Sequence, residues 1–309
     1  MARPSLIVLI FLWSIGCKQK NTQPNENAQS IEDLRNQIYQ IIASQKATVG
    51  VSIIGSEVKD TLSIHGERHC PLQSVFKFHI AAAVLSEIDK GKLSQDQIVV
   101  VKKEEMLPDI WSPLREENPE GGSFTISRLI QYAVSESDNV ACDVLIRLIG
   151  TPQTVEDYIK STGIEEISIK INEEVMQAKW ENMFQNWTTP KAASEMLQKF
   201  YNKDLKLLSE TSHNFLWTTM KETSTGQGRL KGLLPAGTVV AHKTGSSGTN
   251  EEGLTAATND IGIVFLPNGA HFVISVFVTD SKENDETNER IIAEIGKVAY
   301  DYFKVKKAE

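Results

Sequence analysis

Strand-like alternation in this 309-residue chain sits at its two ends, with helical patterns between. Near the start, "TVGVSIIG" (48–55) alternates Val49, Val51 and Ile53. "VKDTLSI" (58–64) alternates Val58, Asp60, Leu62 and Ile64. Together they read as a hairpin. Near the end, "GTVVAHKTG" (237–245), "DIGIVFLP" (260–267) and "HFVISVFVTD" (271–280) read as three more strands. Residues from about 74 to 220 carry helical periodicity, broken by turns such as "ENPEGGS" and "GTPQ". Strand segments need partners, so the two ends predict one antiparallel sheet built from both. "IEDLRNQIYQIIA" (31–43), capped by Ser30, and "TNERIIAEIGKVAYDYF" (287–303) are amphipathic and predict helices flanking that sheet. The expected fold is α/β with two lobes: a sheet lobe of about 30–66 and 221–309, and an all-helical lobe of about 67–220. A cleft between two such lobes is a natural place for a site.

The first residues stand outside that plan. "MARPSLIVLIFLWSIGC" pairs Arg3 with an apolar run from Leu6 to Ile15, too short for a membrane span but right for a signal peptide over 1–17. The small residue before Cys17 resembles a lipoprotein cleavage site, with a lipid anchor on Cys17; simple secretion is the alternative. "KQKNTQPNENAQS" is polar and reads as a flexible tether over 18–29. Export, and a periplasmic location, follow from either. A net charge of −8 and no basic stripe argue against nucleic-acid binding. Three cysteines are too few for a disulfide scaffold. Cys70 and Cys142 read as two buried free thiols, with a bridge permitted by an oxidising compartment. The chain has six histidines but no His-Glu-x-x-His, so a metal centre is not expected, and no cofactor is implied.

Three short motifs carry chemistry. Ser-x-x-Lys occurs twice, as "SEVK" (56–59) and "SVFK" (74–77). Residues three apart share a face on a helix but not on a strand. The first copy lies at the hairpin turn and reads as solvated surface. Ser74 and Lys77 begin a helix, where Ser as a cap and Lys as a snorkelling side chain is the ordinary reading. The other reading is a nucleophile and its proton partner, with the helix N-terminus favouring negative charge. Ser137-Asp138-Asn139 opens an apolar helical run, and capping is again the ordinary explanation. "SHN" (212–214) repeats Ser-x-Asn without a supporting partner. Lys243-Thr244-Gly245 follows an alternating strand, where Gly245 would let a substrate lie against the backbone. Each motif is weak alone. In the order Ser-x-x-Lys, Ser-Asp-Asn, Lys-Thr-Gly they form one recognised set.

With "PLQSVFKFH", "SDNVACD", "QNWT" and "GRLKGLLPAGTVVAHKTG", the chain from about residue 30 onward resembles the class A serine β-lactamases. Within that family it is most similar to the PER/VEB/CfxA-like extended-spectrum branch. The resemblance implies the serine β-lactamase/penicillin-binding (transpeptidase-like) fold, a monomer, and hydrolysis of penicillins and cephalosporins. It implies Ser74 as nucleophile and Lys77 as its proton relay, with Lys243 as the neighbouring cation. Ser137 would protonate the leaving nitrogen, and Asn139 would hold the substrate's side-chain amide. The backbone N–H groups of Ser74 and Ser246 would form the oxyanion hole. Glu173 would activate the hydrolytic water, with Gln177 four residues on as its partner; a solvated acidic pair, Glu173 and Glu174, is the ordinary alternative. The base for acylation stays open between Lys77 and Glu173. No Lys or Arg lies between Lys243 and Lys282, so Arg229, with Thr244 and Ser246, is the expected clamp on the substrate carboxylate, offering a bidentate fork. Trp111 matches an aromatic gate, or a packed loop Trp. The segment 246–260 reads as a long rim that would admit bulky cephalosporins. The rivals are a penicillin-binding D,D-peptidase and a non-catalytic β-lactam sensor; Glu173 and the missing transducer span argue against them.

Overall fold

The computed structural model describes residues 30–55, 60–202 and 207–306. The signal segment, the tether, Cys17 and the Ser56–Lys59 pair therefore lie outside the described residues. One five-stranded antiparallel sheet draws on both ends of the chain: β1 (Thr48–Ile54), β2 (Thr61–Ile64), β8 (Val240–Ser246), β9 (Thr255–Phe265) and β10 (His271–Ser281), in the order β2-β1-β10-β9-β8. The first and last helices, α1 (Ile31–Ile42) and α10 (Asp285–Lys304), pack together. Each begins on a side-chain cap. Ser30 Oγ accepts from the Asp33 N–H while the Asp33 carboxylate accepts from the Ser30 N–H, and Asn284 caps α10.

The pleat explains why the strands look so apolar. Phe272, Ile274, Val276 and Val278 share a core with Leu34, Ile38, Ile291 and Ile295 of the terminal helices. Val273 and Phe277, at the intervening positions, join the core of the other lobe. With both faces covered, hydrophobic residues fill nearly every position instead of every second one. The exceptions are paired polar groups, such as Ser275, whose hydroxyl meets Ser194 Oγ at 2.9 Å.

The other lobe is built round α2 (Phe76–Asp89), which continues from a 3-10 turn at Gln73–Val75. Every α2 residue from Phe76 to Ser86 is buried, as expected of a helix that is apolar all round. Packed against it are α4 (Ile126–Ser135), α5 (Asn139–Ile149), α6 (Pro152–Ser161) and α9 (Glu210–Lys221). Helix α8 (Pro190–Tyr201) lies on the face of the large sheet, against β1 and β10. Of the short helices α3 (Pro113–Glu117) and α7 (Glu173–Ala178), α3 packs against α5 and α7 brings Gln177 to the cleft.

This lobe is not purely helical. It carries a hairpin of β4 (Ile98–Lys102) and β5 (Gly121–Thr125), and a small sheet of β3 (Cys70–Pro71), β7 (Trp187–Thr188) and β6 (Ile167–Ser168). Two-residue strands have no period to read. In β4 the run Ile98-Val99-Val100-Val101 hides its alternation, because Ile98 and Val100 are apolar yet exposed. A second correction concerns the rim. Strand β9 starts at Thr255, not at 260, so the link from β8 is only 247–254. Its polar start, Thr255–Asn259, pairs with β10 and β8, with Thr258 opposite Ser246 and Asn259 opposite Gly245. Cys70 and Cys142 are free and buried; burial pushes the Cys70 thiol up to about 12.

Candidate active site

The three motifs converge at the junction of the lobes. Gln73, just before Ser74, takes φ of 46°, and Ser137 takes φ of 59°. Such left-handed backbone is uncommon for side chains of this kind and clusters at functional sites. Here it brackets both serines. Lys77 is fully buried. Its Nζ lies 2.8 Å from Ser74 Oγ, 2.7 Å from the Ser137 carbonyl and 2.9 Å from Glu173 Oε1, and it also donates to Asn139 Oδ1. Four oxygens surround a nitrogen with at most three N–H bonds. Ser74 Oγ also reaches Glu173 Oε1 at 3.4 Å. Both candidate bases thus touch the same hydroxyl.

Burial separates the two glutamates. Glu173 is fully buried, whereas Glu174 is exposed. Asn172 caps α7, and the Asp143 carboxylate accepts from the backbone N–H groups of Glu173 and Glu174 at 2.8 and 2.9 Å. Burial, and then the nearby Glu173 charge, push the Asp143 carboxyl up to about 7. Gln177, one turn on, donates Nε2–H to Glu173 Oε2 at 3.2 Å. Asp143 was not singled out from sequence, although it lies four residues after Asn139, on the same helical face.

Lys243 is also fully buried. It donates to Ser137 Oγ at 2.9 Å and to the Thr244 carbonyl at 3.0 Å. Burial, and then the Lys77 charge, hold its ammonium well below the usual lysine range. Asp138 does what the capping reading predicts. Its carboxylate accepts from the Ala141 N–H, the Leu114 N–H and Ser112 Oγ. Gly245 has a local reason beyond access: a Cβ there would stand 2.7 Å from the Leu72 carbonyl and 3.3 Å from the Ser74 nitrogen. The glycine lets β8 close on the nucleophile's turn.

Arg229 departs from the bidentate expectation. Nε donates to Glu289 Oε1 at 3.1 Å, Nη1 to the Gly245 and Asn259 carbonyls at 3.1 and 2.9 Å, and Nη2 to Ser246 Oγ at 2.7 Å. Of five N–H donors, one is left for a ligand. The fork is occupied in holding the end of β8. Thr244 Oγ1 meets Thr225 Oγ1 at 2.6 Å, a partner not foreseen. Trp111 borders the cleft with 56% exposure. Its Nε1–H donates to the Glu136 carbonyl, and its own carbonyl accepts from the Asn139 N–H. Ser212 of the "SHN" copy instead donates to Asp89 at 2.7 Å and lies outside the cleft. The cleft, of about 380 Å³, is lined by Ser74, Trp111, Ser137, Asn139, Gln177, Arg229 and residues 244–248. Among the described residues no cluster of His, Cys, Asp or Glu could hold a metal ion.

The chain is similar to known proteins over most of its length. Residues 33–303 match the model of the Beta-lactamase enzyme family. The chain is 48% identical to β-lactamase VEB-1 of Pseudomonas aeruginosa over 90% of its own length and 92% of the relative's. It is similar to the crystal structure of the TLA-3 extended-spectrum β-lactamase, at 48% identity and a TM-score of 0.87, over 89% of this chain and 100% of the other. A class A β-lactamase structure from Bacteroides cellulosilyticus matches at 37% identity and a TM-score of 0.86, over 90% of this chain and all of the other. The match runs from α1 to α10 and takes in every element that brings a side chain to the cleft, so the chain belongs to the β-lactamase enzyme family, in class A.

Proposed function

We propose that the chain hydrolyses the β-lactam amide of penicillins and cephalosporins through an acyl-enzyme on Ser74. Ser74 Oγ attacks the lactam carbonyl carbon while its proton passes to Lys77 or Glu173, the two bases that touch it. The carbonyl oxygen gains the electron pair and is held by the N–H groups of Ser74 and Ser246. As the C–N bond breaks, Ser137 protonates the nitrogen and regains a proton from Lys243; the proton taken from Ser74 passes on from Lys77 or Glu173 to Lys243, so that Glu173 is an ionised base again before deacylation. An ammonium held below its usual range gives up a proton more readily. Asn139 holds the substrate's side-chain amide. Thr244, Ser246 and the remaining donor of Arg229 hold its carboxylate. One water then attacks the ester, giving a proton to Glu173, with Gln177 as its further contact; Ser74 leaves with a proton and the penicilloate-type acid departs.

The observation that carries this reading is Glu173: a fully buried carboxylate beside the nucleophile and its lysine. A D,D-peptidase clears a β-lactam adduct only very slowly and a sensor keeps it, so neither needs such a base for β-lactams. Mixing the protein with a chromogenic cephalosporin tests this. Many turnovers per chain are expected; one equivalent of release per chain would reject the proposal.

Extended-spectrum activity is part of the proposal. The open, Trp111-edged cleft supports it, and so does the 48% identity to the TLA-3 extended-spectrum β-lactamase. Failure on both ceftazidime and cefotaxime, beside good penicillin turnover, would count against it. We also propose that the chain is exported to the periplasm on the strength of its first seventeen residues, tethered through Cys17. It would act there as a monomer, since one chain supplies the whole site.

A further inference from the structure

A buried histidine–carboxylate pair lies behind the site and takes no part in the chemistry above. On β8, Lys243 points to Ser137, so His242 points to the opposite face of the sheet. There its Nδ1 sits 3.0 Å from both carboxylate oxygens of Asp260 on β9. Both residues are fully buried. A carboxylate only accepts, so Nδ1 carries the hydrogen; Nε2 has no partner among the described residues. Gly262 stands opposite His242 in the sheet, and a Cβ there would come within 2.8 Å of the His242 Cβ. Room for the ring is thus built into the neighbouring strand. Among the described residues no serine or cysteine side chain hydrogen-bonds the ring; Thr223 Oγ1 donates to the His242 backbone carbonyl instead.

The other donor to Asp260 is decisive. Asp260 Oδ2 accepts the backbone N–H of Leu230 at 3.2 Å, and Leu230 follows Arg229 directly. Arg229 in turn holds Ser246 Oγ and the Gly245 carbonyl. We infer that His242 and Asp260 are positioning residues for the carboxylate clamp: the imidazole fixes the Asp260 carboxylate, the carboxylate fixes the Leu230 backbone, and that backbone sets where the Arg229 guanidinium meets Ser246. The inference rests on the reading of the site as a β-lactam hydrolase. Removing the imidazole leaves a buried carboxylate short of one donor, which is costly enough to move its remaining partner.

The test compares a chromogenic cephalosporin with its methyl ester, which lacks the carboxylate charge. His242→Leu is expected to raise KM for the acid about ten-fold, with kcat within about two-fold and the ester's kcat/KM unchanged. His242→Asn, which can restore an N–H near the same place, is expected to recover most of the acid's KM. If His242→Leu fails to fold, Asp260→Asn serves in the same comparison, because its one carbonyl oxygen cannot serve both donors equally. Equal loss on acid and ester, or no loss on either, overturns the inference. Failure of the underlying reading looks different: wild type would then turn over neither compound.

Discussion

Asp143 holds the start of α7, and its removal is expected to slow deacylation selectively. That helix has six residues, far too few to persist alone. Its first two N–H groups end on the Asp143 carboxylate, at 2.8 and 2.9 Å. Asp143→Ala leaves both without an acceptor, at about 1–3 kcal/mol each. The helix start, and the Glu173 carboxylate with it, should shift; a misplacement of about 1 Å costs on the order of 100-fold in rate. Ser74 keeps Lys77, the other base that touches it, at 2.8 Å, so acylation should slow less than deacylation. Stopped-flow measurement with a chromogenic cephalosporin should therefore show a burst of one equivalent, then turnover slowed about 100-fold. Asp143→Asn keeps one acceptor and should fall between. It also removes a titration. In the folded chain the Asp143 carboxyl is raised to about 7, against 3.8 unfolded, so the folded state binds the extra proton between those values. Wild-type stability falls as pH rises through that window, and the Asn variant should gain on wild type across it. Equal slowing of acylation and deacylation, or none of either, would refute the reasoning.

Three other substitutions probe separate parts of the account. Lys243→Gln should raise the melting temperature at pH 7, because a buried ammonium held well below its usual range costs folding energy; acylation should fall about 100-fold or more, read by single-turnover kinetics. Gly245→Ala places a Cβ 2.7 Å from the Leu72 carbonyl, which should cost about 1–3 kcal/mol in urea unfolding and lower kcat by displacing the Ser74 turn. His79 is buried, and burial, offset in part by the Val75 and Phe76 backbone, lowers it to about 4 from 6.5. The unfolded chain binds that proton first on acidification, so stability is lost as pH falls from 6.5 to 4, by roughly 3 kcal/mol. His79→Leu should flatten that part of the acid limb in a pH series of melts.

The residues proposed to do the chemistry were legible because they sit in short, ordered motifs. The sheet was legible because its strands lie at the ends with recognisable alternation. What stayed hidden depends on long-range meetings. Asp143 looks like any polar residue on α5 until α7 arrives above it. The Arg229 fork looks free until the Gly245 and Asn259 carbonyls and Glu289 are seen to occupy it. Asn259 reads as a loop residue, and Asp260 only as the first of its strand, because polar side chains seldom fill a strand buried on both faces. They belong to β9 because Asn259 donates to the Pro71 carbonyl and Asp260 accepts from Leu230 and His242. Gly245 was legible as a special position, but its close approach to the Leu72 carbonyl was not.

Glu173 is proposed to turn an acylating serine into a hydrolase. Intact-mass spectrometry of wild type and Glu173→Gln, each mixed with excess benzylpenicillin, tests it most directly. No lasting adduct is expected on wild type, and one penicilloyl group per chain on the variant, mapped to Ser74. A wild type that keeps the adduct, or a Glu173→Gln variant that clears it as fast as wild type, would contradict it.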